Sequence, residues 1–336
     1  MSAAAPASVT SVTLTVSRDG TGDCTTIDEA LDLLMGRDDG LAPAEILVAP
    51  GAYRERLTIR RPNLTIAAAG APRSVRIVSG LGGRMPSPDG QGGKRGTFRT
   101  ATVFVDAHDV TLRGLTVEND AGDGREVGQA IALYADGDRF TADDCALLGR
   151  QDTLFTGPLP PKEIEPFGFL GPKRFAPRTV GRQLYRRCLI CGDVDFIFGS
   201  ARAYFEECEI RSLNRGEAVN GYATAASTPE GEPFGYVFSR CRFTADPADP
   251  PTDGTVYLGR PWRDWAQVAL IDCELGAHVN PAGWHDWGKP DARRRARFEA
   301  VNAAGPGADA AAWPDWAHVL PQSERGRFAR DRVLGF

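Results

Sequence analysis

The chain has 336 residues, of which 42% are hydrophobic and 25% charged, a composition typical of a folded globular protein that excludes a disordered chain. Its 44 acidic residues outnumber its 39 basic residues and give a net charge of −5, so we expect no chain-wide basic surface for nucleic acid. No run reaches the roughly 18 consecutive apolar residues of a membrane-spanning helix. The N-terminus lacks the basic and apolar regions of a signal peptide, so we expect no membrane contact and assign no compartment.

The first predicted element is an amphipathic helix in the segment Thr25–Met35. Its apolar residues recur at the spacing of one helix face: Ile27, Ala30, Leu31 and Leu34. We expect this helix to cap the N-terminal end of the strands that follow, because the open end of a stack of strands must not stay unpaired. Residues 1–10 are expected to be flexible.

Short apolar segments typical of β-strands follow the helix: Ala44–Val48, Leu57–Ile59, Leu64–Ala67, Val75–Ile77, Val103–Val105, Gln129–Tyr134 and Thr255–Leu258. Five further segments each carry a cysteine at the sixth position and an apolar residue two positions later: Phe140–Leu147, Gln183–Ile190, Ala203–Ile210, Tyr236–Phe243 and Val268–Leu275. Each is interpreted as one short strand, in which residues two positions apart share a face. The cysteines are 43, 20, 33 and 32 residues apart. This recurrence without helical periodicity predicts an all-β fold, a parallel β-helix of stacked coils.

The seven cysteines do not indicate a disulfide scaffold, because their number is odd, and no zinc-binding spacing accompanies the Cys188–Cys191 pair. We therefore expect no metal site. Buried thiols that stack from coil to coil are the first interpretation. A disulfide between Cys188 and Cys208, one short turn apart, is the alternative that the sequence leaves open.

Two irregular regions are expected beside the strands. The proline-rich segment 156–182 is interpreted as a long loop over a site rather than as a domain boundary. The tail from Asp291 carries helix-like pieces at Ala292–Ala300 and Ser323–Arg330 and is expected to pack outside the coils or cap their far end. No linker is evident, so residues 1–336 are predicted to form a single domain.

Polar side chains occur inside apolar strand segments at five positions: Gln129, Gln151, Asp152, Asp195 and Arg260. A carboxylate at Asp195, between Val194 and Phe196, is costly to bury unless it is paired. Arg260 is the candidate partner, because a guanidinium can hold a carboxylate in a fixed orientation. Each of these residues alone has an ordinary structural explanation. Together they fall on successive predicted coils, which indicates one shared groove.

Two carboxylates, two amides and an arginine can hydrolyse an ester. One carboxylate attacks the acyl carbon, while the other, protonated, donates its proton to the leaving alcohol and then activates water. The amides can stabilise the oxyanion. Glycosidases also use paired carboxylates, so this set alone does not decide between ester and glycoside chemistry.

The chain resembles the pectin methylesterases in five motifs that occur in that family's order: Gly51-Ala-Tyr-Arg-Glu55, Gly128-Gln-Ala-Ile-Ala-Leu133, Gly149-Arg-Gln-Asp-Thr-Leu-Phe155, Asp193-Val-Asp-Phe-Ile-Phe-Gly199 and Leu258-Gly-Arg-Pro-Trp262. The resemblance covers most of the chain. It implies a right-handed parallel β-helix that removes the C6 methyl esters of pectin, with no metal or organic cofactor. Pectin is then the partner, and a monomer is expected.

The resemblance also implies a role for each candidate residue. Asp195 resembles the nucleophile, and Asp152 resembles the general acid that later acts as a base. Gln129 and Gln151 resemble the oxyanion donors, and Arg260 resembles the residue that orients Asp195. The aromatic residues that resemble the lining of the sugar groove are Trp262, Phe155 and Phe198.

Some features leave alternatives open. Gln151 and Asp152 are adjacent, so both can face one site only if the chain bends there, since neighbouring strand residues point to opposite faces. The segment 156–182 is longer than in compact members of the family, which predicts a reshaped groove. An esterase or thioesterase of the same fold with another acyl substrate is therefore the alternative. A non-catalytic carbohydrate-binding β-helix or a lyase is less favoured, since both aspartates are present and no acidic calcium loop is evident.

Overall fold

In the computed structural model, which describes residues 11–37, 41–90 and 93–336, short parallel strands wind around one core. The strands are β1 Val12–Val16, β2 Ala44–Val48, β3 Gly51–Tyr53, β4 Leu57–Ile59, β5 Leu64–Ala68, β6 Val75–Ser79, β7 Val103–Val105, β8 Val110–Arg113, β9 Leu115–Asn119, β10 Leu133–Ala135, β11 Phe140–Asp143, β12 Ala146–Leu148, β13 Leu154–Thr156, β14 Arg182–Arg186, β15 Leu189–Gly192, β16 Val194–Gly199, β17 Arg202–Glu206, β18 Glu209–Ser212, β19 Gly221–Ala226, β20 Tyr236–Ser239, β21 Arg242–Ala245, β22 Val256–Gly259, β23 Gln267–Ile271, β24 Glu274–Leu275, β25 Arg297–Val301 and β26 Ala317–Val319. Residues 1–10, for which flexibility is expected, lie outside the described residues.

The helices are few and short: α1 Ile27–Met35, α2 Gly124–Val127, α3 Pro290–Arg295 and α4 Arg330–Leu334, with 3₁₀ turns at Thr97–Arg99, Ala310–Ala312 and Gln322–Phe328. Among the described residues, none of these helices has the length and apolar character needed to cross a membrane.

Three sheets of 11, 7 and 8 strands run along the molecule, and each central coil adds one strand to each sheet. The first sheet has the order β1-β2-β5-β8-β11-β14-β17-β20-β23-β25-β26, the second β22-β19-β16-β13-β10-β7-β4, and the third β24-β21-β18-β15-β12-β9-β6-β3. Neighbouring strands pair in parallel, as in β14 with β17 and in β13 with β16. The predicted parallel β-helix is confirmed.

A corner, rather than one continuous strand, surrounds each of the five recurring cysteines. The residue before each cysteine has a left-handed backbone with φ between 52° and 55°: Asp144, Arg187, Glu207, Arg240 and Asp272. That residue turns the chain from the first sheet into the third, for example from β14 into β15. The interpretation of each segment as a single strand is therefore wrong, because the left-handed residue and the cysteine lie between two strands, the first strand ending just before them and the second beginning just after them.

The cysteines form a buried ladder inside the coils. Each donates its S–H to a backbone carbonyl of the preceding coil at 3.3–3.4 Å: Cys145 to Leu112, Cys188 to Ala142, Cys208 to Tyr185, Cys241 to Phe205 and Cys273 to Phe238. Aromatic rings stack beside them, with 4.7 Å between the centroids of Tyr185 and Phe205 and 4.4 Å between those of Phe205 and Phe238. These spacings match the distance between parallel strands, so equivalent residues of adjacent coils contact one another.

Helix α1 has the predicted amphipathic face, and its four predicted apolar residues are buried. It contacts β1, β2 and β4 at the N-terminal end of the sheets, as expected of a cap. The side chain of Thr26 accepts a hydrogen bond from the Glu29 N–H, and the Glu55 carboxylate accepts bonds from the N–H groups of Ile27 and Asp28 at 3.0 Å. A carboxylate at this position satisfies free donors and the positive end of the helix dipole. The motif Gly51–Glu55 thus helps to fix the cap.

The C-terminal tail differs from the prediction. Only the first part of Ala292–Ala300 is helical, because α3 ends at Arg295 and β25 extends the first sheet, pairing with β23. Alternate residues Phe298 and Ala300 of β25 are buried in the core, which is the two-residue period of a strand. The predicted segment Ser323–Arg330 is a 3₁₀ turn that leads into α4.

All seven cysteines are free thiols, so the alternative of a Cys188–Cys208 disulfide is wrong for this structure. The S–H groups of Cys188 and Cys208 are used as donors to carbonyl oxygens, and all seven cysteine side chains are buried. We therefore predict seven titratable thiols in denaturant under non-reducing conditions and very slow labelling of the folded protein. Mass spectrometry after alkylation measures both. Five thiols in denaturant, with Cys188 and Cys208 missing from the labelled set, would contradict the free ladder.

Candidate active site

A cleft of about 650 Å³ opens over the second sheet. Its lining includes all five candidate catalytic residues: Gln129, Gln151, Asp152, Asp195 and Arg260. They belong to different coils: Gln129 precedes β10, Gln151 and Asp152 precede β13, Asp195 lies in β16, and Arg260 follows β22. These strands lie in one sheet in the order β22-β19-β16-β13-β10. Parallel stacking therefore brings together residues that are far apart in sequence.

A break in the strand regularity turns Asp195 toward the cleft. Its φ is 50°, and the pairing of β16 with β19 shifts register between Val194 and Ile197. A bulge of this kind re-aims a side chain without ending the sheet. The next residues, Phe196 and Ile197, remain in the core, whereas Asp195 lines the cleft.

A turn before β13 brings Gln151 and Asp152 to the same side. Asp152 has a φ of 65°, and its N–H donates to the carbonyl of Val194 at 3.0 Å. The two residues lie outside the strand, which begins at Leu154. Strand alternation does not apply there, and both side chains line the cleft. The bend expected from their adjacency is present.

Arg260 holds Asp195 through two hydrogen bonds. Its Nε donates to one carboxylate oxygen at 2.8 Å and its Nη2 donates to the other at 2.7 Å. The guanidinium lies between two aromatic rings, 3.8 Å from the Tyr222 centroid and 3.7 Å from the Trp287 centroid. Stacking on both faces fixes the plane of the guanidinium, and a fixed guanidinium fixes the carboxylate.

The two carboxyl groups differ in their electrostatic surroundings. Burial raises the pKa of Asp152 well above its usual range, and the negative charge of Asp195 raises it further. Burial also raises the pKa of Asp195, but the hydrogen bonds and charge of Arg260 oppose that rise. Asp152 therefore keeps its proton to a higher pH than Asp195. The site can hold one protonated and one ionised carboxyl group at the same time.

The three predicted groove aromatics have different positions. Trp262 and Phe198 line the cleft. Phe155 does not, because its side chain is 0% exposed and it packs beneath the cleft, with its ring centroid 4.9 Å from that of Phe198 and 6.4 Å from that of Trp262. The expectation that Phe155 lines the groove is corrected accordingly. Phe155 packs against Phe198 and Trp262, the two predicted aromatic residues that do line the cleft.

Three site residues escaped the sequence analysis: Tyr222, Trp287 and Lys289. Trp287 and Lys289 lie between β24 and α3, where no strand pattern or motif marks them. Lys289 Nζ donates to the carbonyls of Pro261 and Trp262 at 2.8 and 3.0 Å, which fastens the segment after Arg260. Burial, with the nearby charge of Arg263, lowers the pKa of Lys289 to about 8. The sequence offers one hint of Trp287: a buried guanidinium such as that of Arg260 is commonly covered by an aromatic ring.

Among residues 11–37, 41–90 and 93–336, no group of three or more His, Cys, Asp or Glu side chains is arranged to hold a metal ion.

Comparisons with known proteins identify the family. The sequence model of the family described as Pectinesterase matches residues 13–158 and 178–335. The chain belongs to the pectinesterase family. It is 30% identical to Pectinesterase 31 of Arabidopsis thaliana over 318 residues, which is 93% of this chain and 89% of that relative.

Solved pectin methylesterases have the same fold. The pectin methylesterase PemA of Erwinia chrysanthemi is 27% identical, with a TM-score of 0.75 over 96% of each chain. A pectin methylesterase in complex with a hexasaccharide is also 27% identical, with a TM-score of 0.74 over 96% of each chain. Pectinesterases are carboxylic ester hydrolases, so this chain is an enzyme of that class.

One wall of this pectinesterase cleft lies outside the family match. Residues 159–177 separate the two matched segments and fall within the predicted long loop, which runs without a strand from β13 to β14. Ile164, Glu165, Gly168 and Phe169 of this insertion line the cleft. The Lys162 carbonyl accepts a hydrogen bond from Arg263 at 3.1 Å, and Lys173 pairs with Asp106 at 2.6 Å. Contacts near both ends of the insertion thus join it to the rest of the chain, one of them to a cleft residue, Arg263.

We predict that Asp152→Asn leaves the pectinesterase at least as stable as the parent at pH 7. The unfolded chain ionises this carboxyl near its usual pKa of about 3.9, whereas the folded chain holds the proton to a higher pH. A raised folded pKa costs stability as the pH rises above the unfolded pKa, and asparagine removes that cost. Urea denaturation at pH 4 and pH 7 measures the effect. A variant that loses more stability than the parent between pH 4 and pH 7 would contradict the assignment.

Proposed function

We propose that this chain is a pectin methylesterase that hydrolyses the C6 methyl esters of homogalacturonan to free carboxylate and methanol, through the residues of the cleft. The observation that carries the proposal is the pair of unequal carboxyl groups. Asp195 is held and charge-balanced by Arg260, whereas Asp152 is buried beside it without an arginine bond of its own. An ester hydrolase that works through two carboxyl groups needs one as the ionised nucleophile and the other as the protonated acid.

In the first half-reaction, an oxygen of Asp195 attacks the ester carbonyl carbon. The bond to the methoxy oxygen breaks, Asp152 donates its proton to that oxygen, and methanol leaves. The product is an anhydride between Asp195 and the uronate. The amides of Gln129 and Gln151 donate to the oxygen that gains negative charge, a contribution typically of about 10²–10³ in rate.

In the second half-reaction, Asp152 is an anion and acts as the base. It takes a proton from water, and the resulting hydroxide attacks the uronyl carbon of the anhydride. The bond to Asp195 breaks, which restores its carboxylate and releases the demethylated sugar. The proton that Asp152 takes from water replaces the one that left with methanol, so the cycle is balanced.

The groove that receives the polymer has an aromatic floor and a side wall from the insertion. Trp262 and Phe198 offer apolar faces to sugar rings, and Trp287 continues this surface beside Arg260. A continuous core joins the three sheets. This supports the proposal that residues 1–336 function as one domain, and we propose that this domain acts as a monomer.

The insertion gives specific support to a second candidate, an esterase or thioesterase of the same fold with another acyl substrate. Ile164 and Glu165 occupy the cleft wall in a segment that the family sequence model does not match. An apolar and an acidic side chain at that position favour a neutral acyl group over an anionic one. Methylated pectin meets this condition, and so do other neutral esters.

Methanol release from highly methylated pectin tests the proposal. We predict release by the parent and at least about a 10³-fold loss in Asp195→Asn, because an amide cannot act as the nucleophile. Gln151→Ala is predicted to lose about 10²–10³-fold. Circular dichroism establishes that each variant is folded. If the folded parent releases no methanol, the second candidate is favoured. Normal release by folded Asp195→Asn would contradict the nucleophile assignment.

The pH profile tests the role of Arg260. Arg260→Lys replaces the planar guanidinium, which binds both carboxylate oxygens of Asp195, by an ammonium group that cannot reproduce this paired geometry. The substitution therefore stabilises the ionised form of Asp195 less. The pKa of Asp195 then rises, and we predict a lower kcat/KM whose acidic limb moves to higher pH. Arg263→Lys is the matched control, because Arg263 also lines the cleft but donates to the backbone carbonyls of Trp262 and Lys162. An acidic limb that stays in place in Arg260→Lys would refute the positioning role.

A further inference from the structure

The insertion is joined to the coils by one lysine and two aspartates. Asp106 and Asp136 each follow the last residue of a strand, β7 and β10 respectively. These two strands pair with their ends in register, so the two carboxyl groups come from equivalent positions of adjacent coils. Lys173 Nζ donates to Asp106 Oδ1 at 2.6 Å and lies 3.9 Å from Asp136 Oδ2. One cation thus faces two acidic groups that would otherwise repel each other across about 4.8 Å, the spacing of neighbouring strands.

Asp136 is the buried member of this pair. Its side chain is 9% exposed, and its Oδ2 accepts no hydrogen bond within the described part of the chain. Burial raises the pKa of Asp136 to about 6, and the positive charge of Lys173 opposes this rise. The charge of Asp106 adds to the rise, that of Arg178 opposes it, and the Tyr134 hydroxyl lies within electrostatic reach. A buried carboxyl group with an unused acceptor oxygen is costly to ionise unless a cation stays beside it.

The next coil leaves room for this carboxyl group. Gly157 follows Thr156, the last residue of β13, and β13 pairs in register with β10. Residue 157 is therefore the neighbour of Asp136 in the stack, and a Cβ on Gly157 would lie 2.5 Å from the Asp136 Cγ. The chain thus enters the insertion beside Asp136 and contacts the same carboxyl group again through Lys173.

Arg178 gives the insertion a fixed internal shape. Its guanidinium donates to the carbonyls of Pro160 at 3.2 Å and Lys173 at 2.8 Å. It also donates to those of Ala176 and Arg174, each at 2.7 Å. These bonds join the beginning of the insertion to its end, so a contact at Lys173 can position residues elsewhere in the segment.

Phe169 connects the insertion to the aromatic residues of the cleft. It is 4% exposed and lies between two rings that line the cleft, with its centroid 5.7 Å from that of Phe98 and 6.2 Å from that of Trp262. Gly171 packs so closely on Phe98 that a Cβ there would lie 2.7 Å from the Phe98 Cβ. Release of the insertion from the coils would withdraw Phe169 from between the two rings and open the wall of the cleft.

We propose that Lys173 is a positioning residue for substrate binding: by bridging Asp106 and Asp136 it docks the insertion and so completes the wall of the cleft. This inference rests on the proposed function, because the wall acts on the polymer only if the polymer binds in the cleft. Lys173 itself lies outside the lining of the cleft, whereas Asp152 and Asp195 are held by the strands of the second sheet. Loss of Lys173 is therefore expected to affect substrate binding much more than the chemical step.

Hydrogen exchange of residues 159–177, followed by mass spectrometry at pH 7, measures docking directly. In Lys173→Met we expect the amides of the insertion to exchange at least about tenfold faster, because the two carboxyl groups lose their cation. Lys173→Arg keeps the charge and is expected to restore slow exchange. Lys94→Met is the matched control, because Lys94 is an exposed lysine outside the cleft lining with no ion pair among the described residues. Asp106→Asn, which removes the more exposed partner, serves if Lys173→Met fails to fold, with an expected increase of about threefold.

Kinetics measure the effect on the cleft. For methanol release from highly methylated pectin, we expect Lys173→Met to raise KM at least about fivefold and to change kcat less than about twofold, the pattern of a lost binding contribution. Lys173→Arg is expected to recover most of the KM, and Lys94→Met to keep the parent values.

The pH dependence separates positioning through Asp136 from a general loss of stability. At pH 5, Asp136 is protonated, and removal of Lys173 leaves one carboxylate unpaired. At pH 8, the docked form must hold two ionised carboxylates side by side, so docking without Lys173 weakens as the pH rises. The ratio of KM in Lys173→Met to KM in the parent is expected to rise at least about threefold from pH 5 to pH 8. In an Asp136→Asn background, the same ratio is expected to be independent of pH.

The results separate the two proposals. Unchanged exchange in folded Lys173→Met, equal acceleration in Lys94→Met, an unchanged KM, or a KM ratio that does not vary with pH would each overturn the positioning role, even if the parent releases methanol normally. If the folded parent releases no methanol, the proposed function fails. The hydrogen-exchange comparison then decides by itself whether Lys173 docks the insertion.

Discussion

Everything that this enzyme does depends on the in-register stacking of parallel coils. Gln129, Asp152, Asp195 and Arg260 are spread over four coils and meet only because β10, β13, β16 and β22 lie in one sheet. Side chains alternate between the two faces of a strand, so a slip of one residue in a coil would exchange its core and cleft residues. The buried ladder of thiols and rings resists such a slip. The core therefore aligns the groups that we propose to react.

The two carboxyl groups that we propose as catalytic depart from the strand regularity on which their positions depend. Asp152 and Asp195 both have left-handed backbones, one in a turn and one at a bulge. Left-handed residues other than glycine are strained by about 1–2 kcal/mol, and aspartate is among those that tolerate the conformation best. The packing of the stacked coils offsets the free-energy cost of this backbone strain and of burying charged groups. The bidentate pair with Arg260, fixed between Tyr222 and Trp287, keeps one of the two groups ionised.

Much of the fold and the main site residues were predictable from the sequence, for a physical reason. A solenoid repeats its interior, so the recurring cysteines indicated the coils, and the helical spacing in Thr25–Met35 indicated the cap. What could not be predicted depends on geometry that leaves no periodic signal. The left-handed corner before each cysteine, the burial of Phe155 and the strand at Arg297–Val301 are set by contacts between coils.

The thiol ladder also has a direction. Each cysteine donates to a carbonyl of the coil before it, so every coil completes the hydrogen bonding of its predecessor and offers acceptors to its successor. In such an array the free energy of unfolding is a sum over coils and the interfaces between neighbours. Folding of such an array can begin at any coil and propagate to its neighbours. A defect in one coil therefore weakens mainly the two interfaces that this coil makes, and more distant coils keep their own contacts.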